Sequence, residues 1–338
     1  MKKLYPILLI FACICLGCKG KLVDPDPANT PESNFQILWQ EFDKLYAFFE
    51  YKNIDWDSVY TVYHPQVTPQ TSDRQLFSTL SSMLSILKDG HVTLDTPFGF
   101  YNYQDWWKTH PVNYKQSLIE NGYLKNGFEV VGGGNIMFGR LNSELGYIHI
   151  SKFWGEKDWV FDFDIALESL RNCKGLVVDV RGNGGGQTKN SDYIASRFVP
   201  KKTLYAYVKW RNGPNHNDFT APEALYVEPA DKWQYQNPVV LLTNRQCFST
   251  TEAFILSMRI LPNVTVVGDT TGGGSGNPIR RELPNGWIYQ VPRWILFTPD
   301  MKPFEGIGLI PDISVNMKAE DFISGKDTIL ETAMSLLK

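Results

Sequence analysis

Gly175-Leu176-Val177-Val178-Asp179-Val180, followed at once by Arg181-Gly182-Asn183-Gly184-Gly185-Gly186, is the stretch on which the fold of this chain turns. Its first half is an apolar run without alternation, consistent with a strand buried on both faces. The segments around it agree. Gly146 to Ile150 alternates like a strand, Asp158 to Leu170 has helical spacing, Pro238 to Thr243 is another buried-type strand, Thr251 to Ile260 a helix and Val264 to Val267 a third strand. Alternating strands and helices predict β-α-β units around a largely parallel sheet. In such an α/β fold the residues that do chemistry gather on loops at strand ends.

Towards the N-terminus the period changes. Thr30-Pro31 reads as an N-cap followed by Pro at the first helical position, and Phe35, Leu38, Trp39, Phe42, Leu45, Tyr46 and Phe49 recur at helical spacing. A loop with Asp55-Trp56-Asp57 and the stretch from Pro65 to Pro69 leads to a second helix, which starts at Asp73, carries Leu76, Leu80, Met83, Leu84 and Leu87, and ends in Lys88-Asp89-Gly90-His91. From about Asp95 to Gly134 the sequence is aromatic and aperiodic, and only short strands and turns are expected there.

The first residues read as a sorting signal. Lys2 and Lys3 precede an apolar run from Leu4 to Leu16 that is short for a membrane span and right for a secretory leader. The run ends in Cys15-Leu16-Gly17-Cys18, which resembles the bacterial lipobox, so Cys18 is the expected lipid-attachment residue and the bacterial cell envelope the expected location. Asp24-Pro25-Asp26-Pro27 then serves as a tether. The expected organisation is a signal peptide over 1–17, a tether over 18–32, a small helical domain over 33–95, an irregular connecting segment over 96–145 and an α/β core over 146–338.

With 33 Lys and Arg against 36 Asp and Glu, a net charge of −3, the chain has no basic excess for phosphate, so nucleic acid is not an expected partner. Past the leader only Cys173 and Cys247 could pair, and two cysteines make no disulfide framework. Neither Cys173 nor Cys247 has a C-x-x-C partner and no H-E-x-x-H stretch occurs, so neither a metal nor another cofactor is expected, and both cysteines read as buried small residues.

Two places could carry chemistry. The Gly-rich turn after Val180 lacks the Lys-Ser/Thr of a P-loop. It reads as a tight turn, or as a cradle whose exposed N–H groups suit an oxyanion. Ser249 lies between a buried strand and a helix. With Glu252 three residues on it forms a capping-box pattern, and its hydroxyl can also be a nucleophile beside the free N–H of Thr250. The two roles are compatible.

Five pieces in order resemble the carboxyl-terminal processing (tail-specific) serine peptidases and their relatives in the tricorn core. They are Leu87 to His91, Val178 to Gly186, Asn244 to Glu252, Gly268 to Gly274 and Glu305-Gly306-Ile307-Gly308-Leu309-Ile310-Pro311-Asp312-Ile313. The resemblance implies a ClpP/crotonase-like ββα core with a small N-terminal helical domain, and a peptide or protein substrate. The tail-specific branch uses a Ser–Lys dyad. No Lys occurs between Ser249 and Lys302 here, and Gly272-Gly273-Gly274-Ser275 stands in the place of the Lys turn.

The tricorn-like branch uses Ser, His and Glu, which implies a triad of Ser249, His91 and Glu305, with His91 as base and Glu305 orienting it. The amides of Gly185 or Gly186 and of Thr250 would form the oxyanion hole. One departure is Gly90, where the tricorn motif has a hydroxyl residue before its His. The segment between His91 and Gly146 is too short for a full PDZ domain, so peptide would enter by β-augmentation, with Trp106, Trp107 and Trp154 as lining or as core. The alternative is a ligand-binding protein without hydrolysis, as in a related branch that resembles retinoid-binding modules.

Overall fold

The computed structural model describes residues 26–338, so the expected leader, Cys18 and the first part of the tether lie outside the described residues. Thr30 caps α1 (Pro31–Leu45) as its sequence predicts, its side chain accepting from the Ser33 N–H. The helix stops short of Phe49. Tyr46 turns extended and aims its hydroxyl at Asp89 (2.9 Å), and the chain resumes in the one-turn α2 (Phe49–Lys52). Where the sequence reads as a loop, α3 (Trp56–Tyr63) forms, started by the Asp55 carboxylate accepting from Ser58 N–H. The second expected helix is α4 (Asp73–Ser85), with Ser72 and Gln75 in a capping box.

Past α4 the chain runs through β1 (Thr93–Thr96), β2 (Gly99–Asn102), α5 (Asp105–Lys108), α6 (Gln116–Gly122), β3 (Phe128–Val131), β4 (Ile136–Arg140) and β5 (Leu145–Ile150). The next stretch holds α7 (Phe163–Ser169), β6 (Gly175–Asp179), α8 (Thr188–Ser196), β7 (Thr203–Trp210), β8 (Glu223–Val227), β9 (Val239–Thr243), α9 (Thr250–Arg259) and β10 (Val264–Gly268). The last elements are β11 (Pro278–Glu282), β12 (Ile288–Pro292), β13 (Trp294–Phe297), β14 (Ile313–Ser314), α10 (Ala319–Ser324) and α11 (Thr328–Leu336).

The main sheet has the order β14-β10-β9-β6-β5-β4-β3, parallel from β14 to β5 and antiparallel at β4 and β3. Every residue of β5, β6 and β9 is buried, as unalternating apolar strands require when helices cover both faces. The fold is therefore mixed α/β with a small N-terminal helical region. The aperiodic 96–145 segment is more regular than its sequence suggests, since β3 and β4 extend this sheet. The expected helix from 158 begins as a 3-10 turn, Trp159–Asp162, before α7.

A second sheet, β11-β12-β1-β2, is antiparallel and joins residues 93–102 to residues 278–292, with Thr93 opposite Gln290 and Asp95 opposite Ile288. The N-terminal helices accordingly share one core with Leu283, Trp287, Tyr289 and Val291. The boundary drawn at residue 95 is thus crossed by strand pairing, and His91, just ahead of β1, sits at the seam. A third sheet, β13-β7-β8, packs Tyr205, Ala206 and Val208 into the main core with Phe254 of α9. Among the described residues no helix is long and apolar enough to cross a membrane.

Beyond β6, Arg181 is fully buried between two carboxylates. It meets Asp179 at 2.6 Å and Asp327 at 2.9 Å, and donates to the Asn113 carbonyl at 3.0 Å. The knot ties the cap of α11 to the sheet. Replacing Arg181 with Met strands two buried acids, so unfolding stability at pH 7 should fall by about 3–5 kcal/mol. The stranded acids take up protons in the folded state, so the deficit should shrink as pH falls. Urea denaturation of both proteins at pH 5 and 7 checks the size and the sign.

Candidate active site

The strand–turn–helix from β9 to α9 sets Ser249. Its backbone is held at φ 59° and ψ −125°, a conformation that costs a non-glycine residue about 1–3 kcal/mol and persists only where its surroundings hold it. The main restraint is Glu252. Its buried carboxylate accepts from Ser249 N–H (3.1 Å), Thr271 Oγ1 (2.5 Å), Gly273 N–H (2.8 Å) and Gly274 N–H (2.7 Å). Burial pushes its titration up to about 7, against the pull of those four bonds. The capping box read from sequence is therefore also a clamp between α9 and the loop that follows β10.

The Gly-rich turn lies against the same corner. A side chain on Gly185 would start 2.9 Å from Ser249 Cβ and 3.1 Å from Thr250 N, so only glycine allows this approach. Asn183 organises the turn: its Oδ1 accepts from Gly185 N–H (2.9 Å) and Thr251 Oγ1 (2.7 Å), and its Nδ2 donates to the Ile150 carbonyl. The Gly185 amide is thereby committed. The N–H groups of Gly186 and Thr250 have no acceptor among the described residues, and the Thr250 hydroxyl donates to the Gly186 carbonyl at 2.7 Å. Of the amides expected to bind an anion, these two are free, at the positive end of α9.

His91 is 8% exposed. Its ring lies 4.6 Å from that of Phe248, the residue before Ser249, and both ring nitrogens are buried without a hydrogen-bond partner. Burial pushes the imidazole down to about 4, with the Asp89 charge opposing, so the ring is neutral at pH 7. The Asp89 carboxylate accepts from the His91 backbone N–H at 2.8 Å and from the Tyr46 hydroxyl.

Glu305 is 3% exposed and does not bond His91. Its Oε2 accepts from Ser275 N–H (2.7 Å) and Ser275 Oγ (3.0 Å), and its Oε1 faces the Lys52 ammonium at 3.4 Å. Burial, then the Asp89 charge, push its carboxyl up to about 8, while Lys52 and Ser275 pull it down.

Ser249, Gly185, Gly186 and Thr250 thus form one cluster, and Glu305 with Asp89 another. His91 stands between them on Phe248. Sequence reading did not single out Lys52, Ser275, Glu252 in its clamping role, or the ring pair of Phe248 and Trp106. Ser275 was visible as the residue in place of the missing Lys turn, whereas nothing in the pattern at the end of α2 marks Lys52.

Gly90 has a physical reason. Trp106 stacks on Phe248 at 4.2 Å, and a Cβ on Gly90 would come within 2.6 Å of Trp106 Nε1 and 2.8 Å of the Phe248 ring. The two rings fill the volume that a hydroxyl side chain before His91 would need. Trp106 is held in turn by Arg245, which donates from Nε to its carbonyl (2.7 Å) and from Nη1 to those of Thr271 and Ile307. Trp154 is 58% exposed and directly flanks Gly186.

Residues 144–315 match the model of peptidase family S41, and residues 27–85 match that of the tricorn protease C1 domain. The carboxy-terminal processing protease CtpB of Bacillus subtilis is 30% identical over 198 residues, a match that covers 52% of this chain and 39% of that protein. The tricorn protease of Thermoplasma volcanium is 28% identical over 200 residues, covering 59% and 18%. The chain therefore spans two fifths or less of the length of these curated relatives. A crystal structure of a candidate peptidase from Parabacteroides merdae has 38% identity and a TM-score of 0.84, covering 92% of this chain and 97% of that one.

The packing at Gly90 is open to test. Gly90→Ser should destabilise the protein by about 1–3 kcal/mol through overpacking. Because the clash is with the Trp106 ring, the loss in Gly90→Ser combined with Trp106→Ala should be smaller than the sum of the two single losses. Thermal melting of the four proteins checks this, and strict additivity counts against the steric explanation.

Proposed function

The chain belongs to peptidase family S41, and on that premise we propose that it is a serine-type peptidase with Ser249 as nucleophile, His91 as general base and Glu305 as the supporting carboxylate. The observation that carries this reading is the strained Ser249 backbone at the start of α9, clamped by Glu252 beside the two unpartnered amides of Gly186 and Thr250. A hydroxyl there has its anion site built before any substrate arrives.

In the proposed reaction the Ser249 hydroxyl attacks the substrate carbonyl while a ring nitrogen of His91 takes its proton. The oxyanion accepts from the Gly186 and Thr250 N–H groups, each donor worth on the order of 10²–10³ in rate. His91 then gives the proton to the departing amine, and water releases the acyl group by the reverse sequence. A neutral imidazole suits the first step, and the acids behind it stabilise the cation that follows. The free nitrogens of His91 engage when substrate closes the site, since hydrogen bonds of this kind tighten in the reactive complex. Peptide would lie along Gly186, with the exposed Trp154 indole against an apolar side chain.

Residues 33–95 would supply His91 from a helical layer and residues 146–338 the peptidase core. We also propose lipid attachment at Cys18 and residence in the bacterial cell envelope, supported by residues 2–18 of the sequence alone.

A fluorophosphonate probe should label Ser249, and Ser249→Ala and His91→Ala should each abolish labelling and lower peptide hydrolysis by at least about 10³-fold. Glu305 is protonated below about 8, so kcat/KM should fall as pH drops through that value, although His91 stays neutral down to about 4. Hydrolysis that survives Ser249→Ala sinks the triad. A folded protein that neither labels nor hydrolyses any peptide of a library favours the ligand-binding alternative.

A further inference from the structure

Lys52, the last residue of α2, carries its ammonium into the acidic half of the site. Its Nζ stands 3.3 Å from Asp89 Oδ2 and 3.4 Å from Glu305 Oε1, and donates to the Leu87 carbonyl at 3.1 Å. The stem passes the rings of Tyr46 and Phe48, whose centroids lie 5.7 and 5.4 Å from Nζ, and the side chain is 15% exposed. Three segments far apart in sequence meet on this one ammonium: α2, the turn that leads to His91, and the loop that carries Glu305.

We propose that Lys52 is a positioning residue of the peptidase site, which ties Glu305 to Asp89, and through Asp89 to the turn holding His91, so that Glu305 can act as a charged carboxylate. The inference rests on the reading of Ser249, His91 and Glu305 as the triad. Asp89 and Glu305 are both buried, and two carboxylates in one dry pocket do not both ionise without a cation between them. The ammonium itself is not a general base. Burial disfavours its charge, but Asp89 and Glu305 outweigh burial and hold its titration above the ordinary lysine value. This sets it apart from the lysine of a Ser–Lys dyad.

The other titratable groups facing the cluster are Tyr46 and Tyr51 from the end of α1 and from α2, Tyr101 from β2, and His91. Burial raises all three phenols, so they stay neutral, and His91 is neutral above about 4. The charges that matter are therefore Lys52, Asp89 and Glu305. Asp89 is held below its ordinary range, burial opposing and Lys52 foremost among the groups that lower it, while Glu305 is raised to about 8 by burial and by Asp89, with Lys52 pulling it back. Without Lys52, Glu305 would titrate higher still, and the charged carboxylate would form only at a more alkaline pH.

The test compares the wild type with Lys52→Met, Lys52→Arg, Glu305→Gln and the Lys52→Met/Glu305→Gln pair, reading both hydrolysis of one peptide and fluorophosphonate labelling of Ser249 across pH. In Lys52→Met, kcat at pH 7 should fall by about 10- to 100-fold with KM within about twofold, and the acid limb of the profile should move up by about one unit or more. Lys52→Arg keeps the charge and should restore the limb to its original place.

If Lys52 acts through Glu305, the double variant should be no slower than Glu305→Gln alone. That comparison stands even where Lys52→Met does not fold, because the double variant removes one charge of each sign. A limb that stays put in folded Lys52→Met, or a further tenfold loss in the double variant, overturns the proposal while wild-type labelling keeps the triad. Absence of wild-type labelling at Ser249, with hydrolysis surviving Ser249→Ala, fells the triad and this inference together.

Discussion

The geometry of this molecule hangs on the buried carboxylate of Glu252. Four donors converge on it from two places: the first turn of α9 and the loop after β10. A carboxylate with four donors is strongly bound even where burial raises its titration, because removing any one donor leaves a desolvated oxygen behind. Fixing Ser249 to that loop fixes more than Ser249. Gly306 N–H donates to the Gly273 carbonyl at 2.7 Å, and Ser275 donates to Glu305. Ser249 and the distant Glu305 are therefore positioned by one anion, and the strain at Ser249 is sustained by a network rather than by a single contact.

Two ionic clusters share this fold and do different work. Arg181 is enclosed by Asp179 and Asp327 with no exposure at all, and it anchors α11 to the end of β6. Lys52, Asp89 and Glu305 lie at the seam between the N-terminal layer and the main sheet, the two acids buried and the lysine partly reachable. A guanidinium forks onto its acids with fixed geometry, whereas an ammonium is a point charge on a flexible stem. The first suits a strut. The second can follow its acids as their charge changes.

Much of the frame was legible in the sequence where burial is complete. β5, β6, β9 and β10 are apolar runs because helices cover both faces, and such runs leave little choice of reading. Legibility falls where burial is partial. β7, β8 and β11 mix exposed and half-buried residues, and no period emerges from them. α3 was hidden because Asp55-Trp56-Asp57 resembles a turn until the Asp55 cap is seen. The break after Leu45 was invisible for a different reason: apolar residues continue at helical spacing, and only the tertiary bond from Tyr46 to Asp89 stops the helix. At the candidate site, Ser249, His91 and Glu305 each stand on a local motif. Lys52 does not, since its meaning depends on two partners more than 35 residues away in the chain.

Phe248 joins these levels. It is bonded to Ser249, its ring rests on His91, and Trp106 covers its other side. Gly272 and Gly274 leave room for the same ring, as Gly90 does. The glycines around the site therefore serve two purposes: those at 185 and 186 let amides approach Ser249, and the others admit an aromatic wall beside His91. Such a wall excludes water from the imidazole, which explains both its low basicity and its two unpartnered nitrogens. An imidazole kept dry and unbonded gains most from any partner that reaches it, because each interaction is stronger in the low dielectric that the rings maintain. The same rings couple His91 to Ser249 mechanically: any shift of the backbone between residues 248 and 249 moves the surface against which His91 rests.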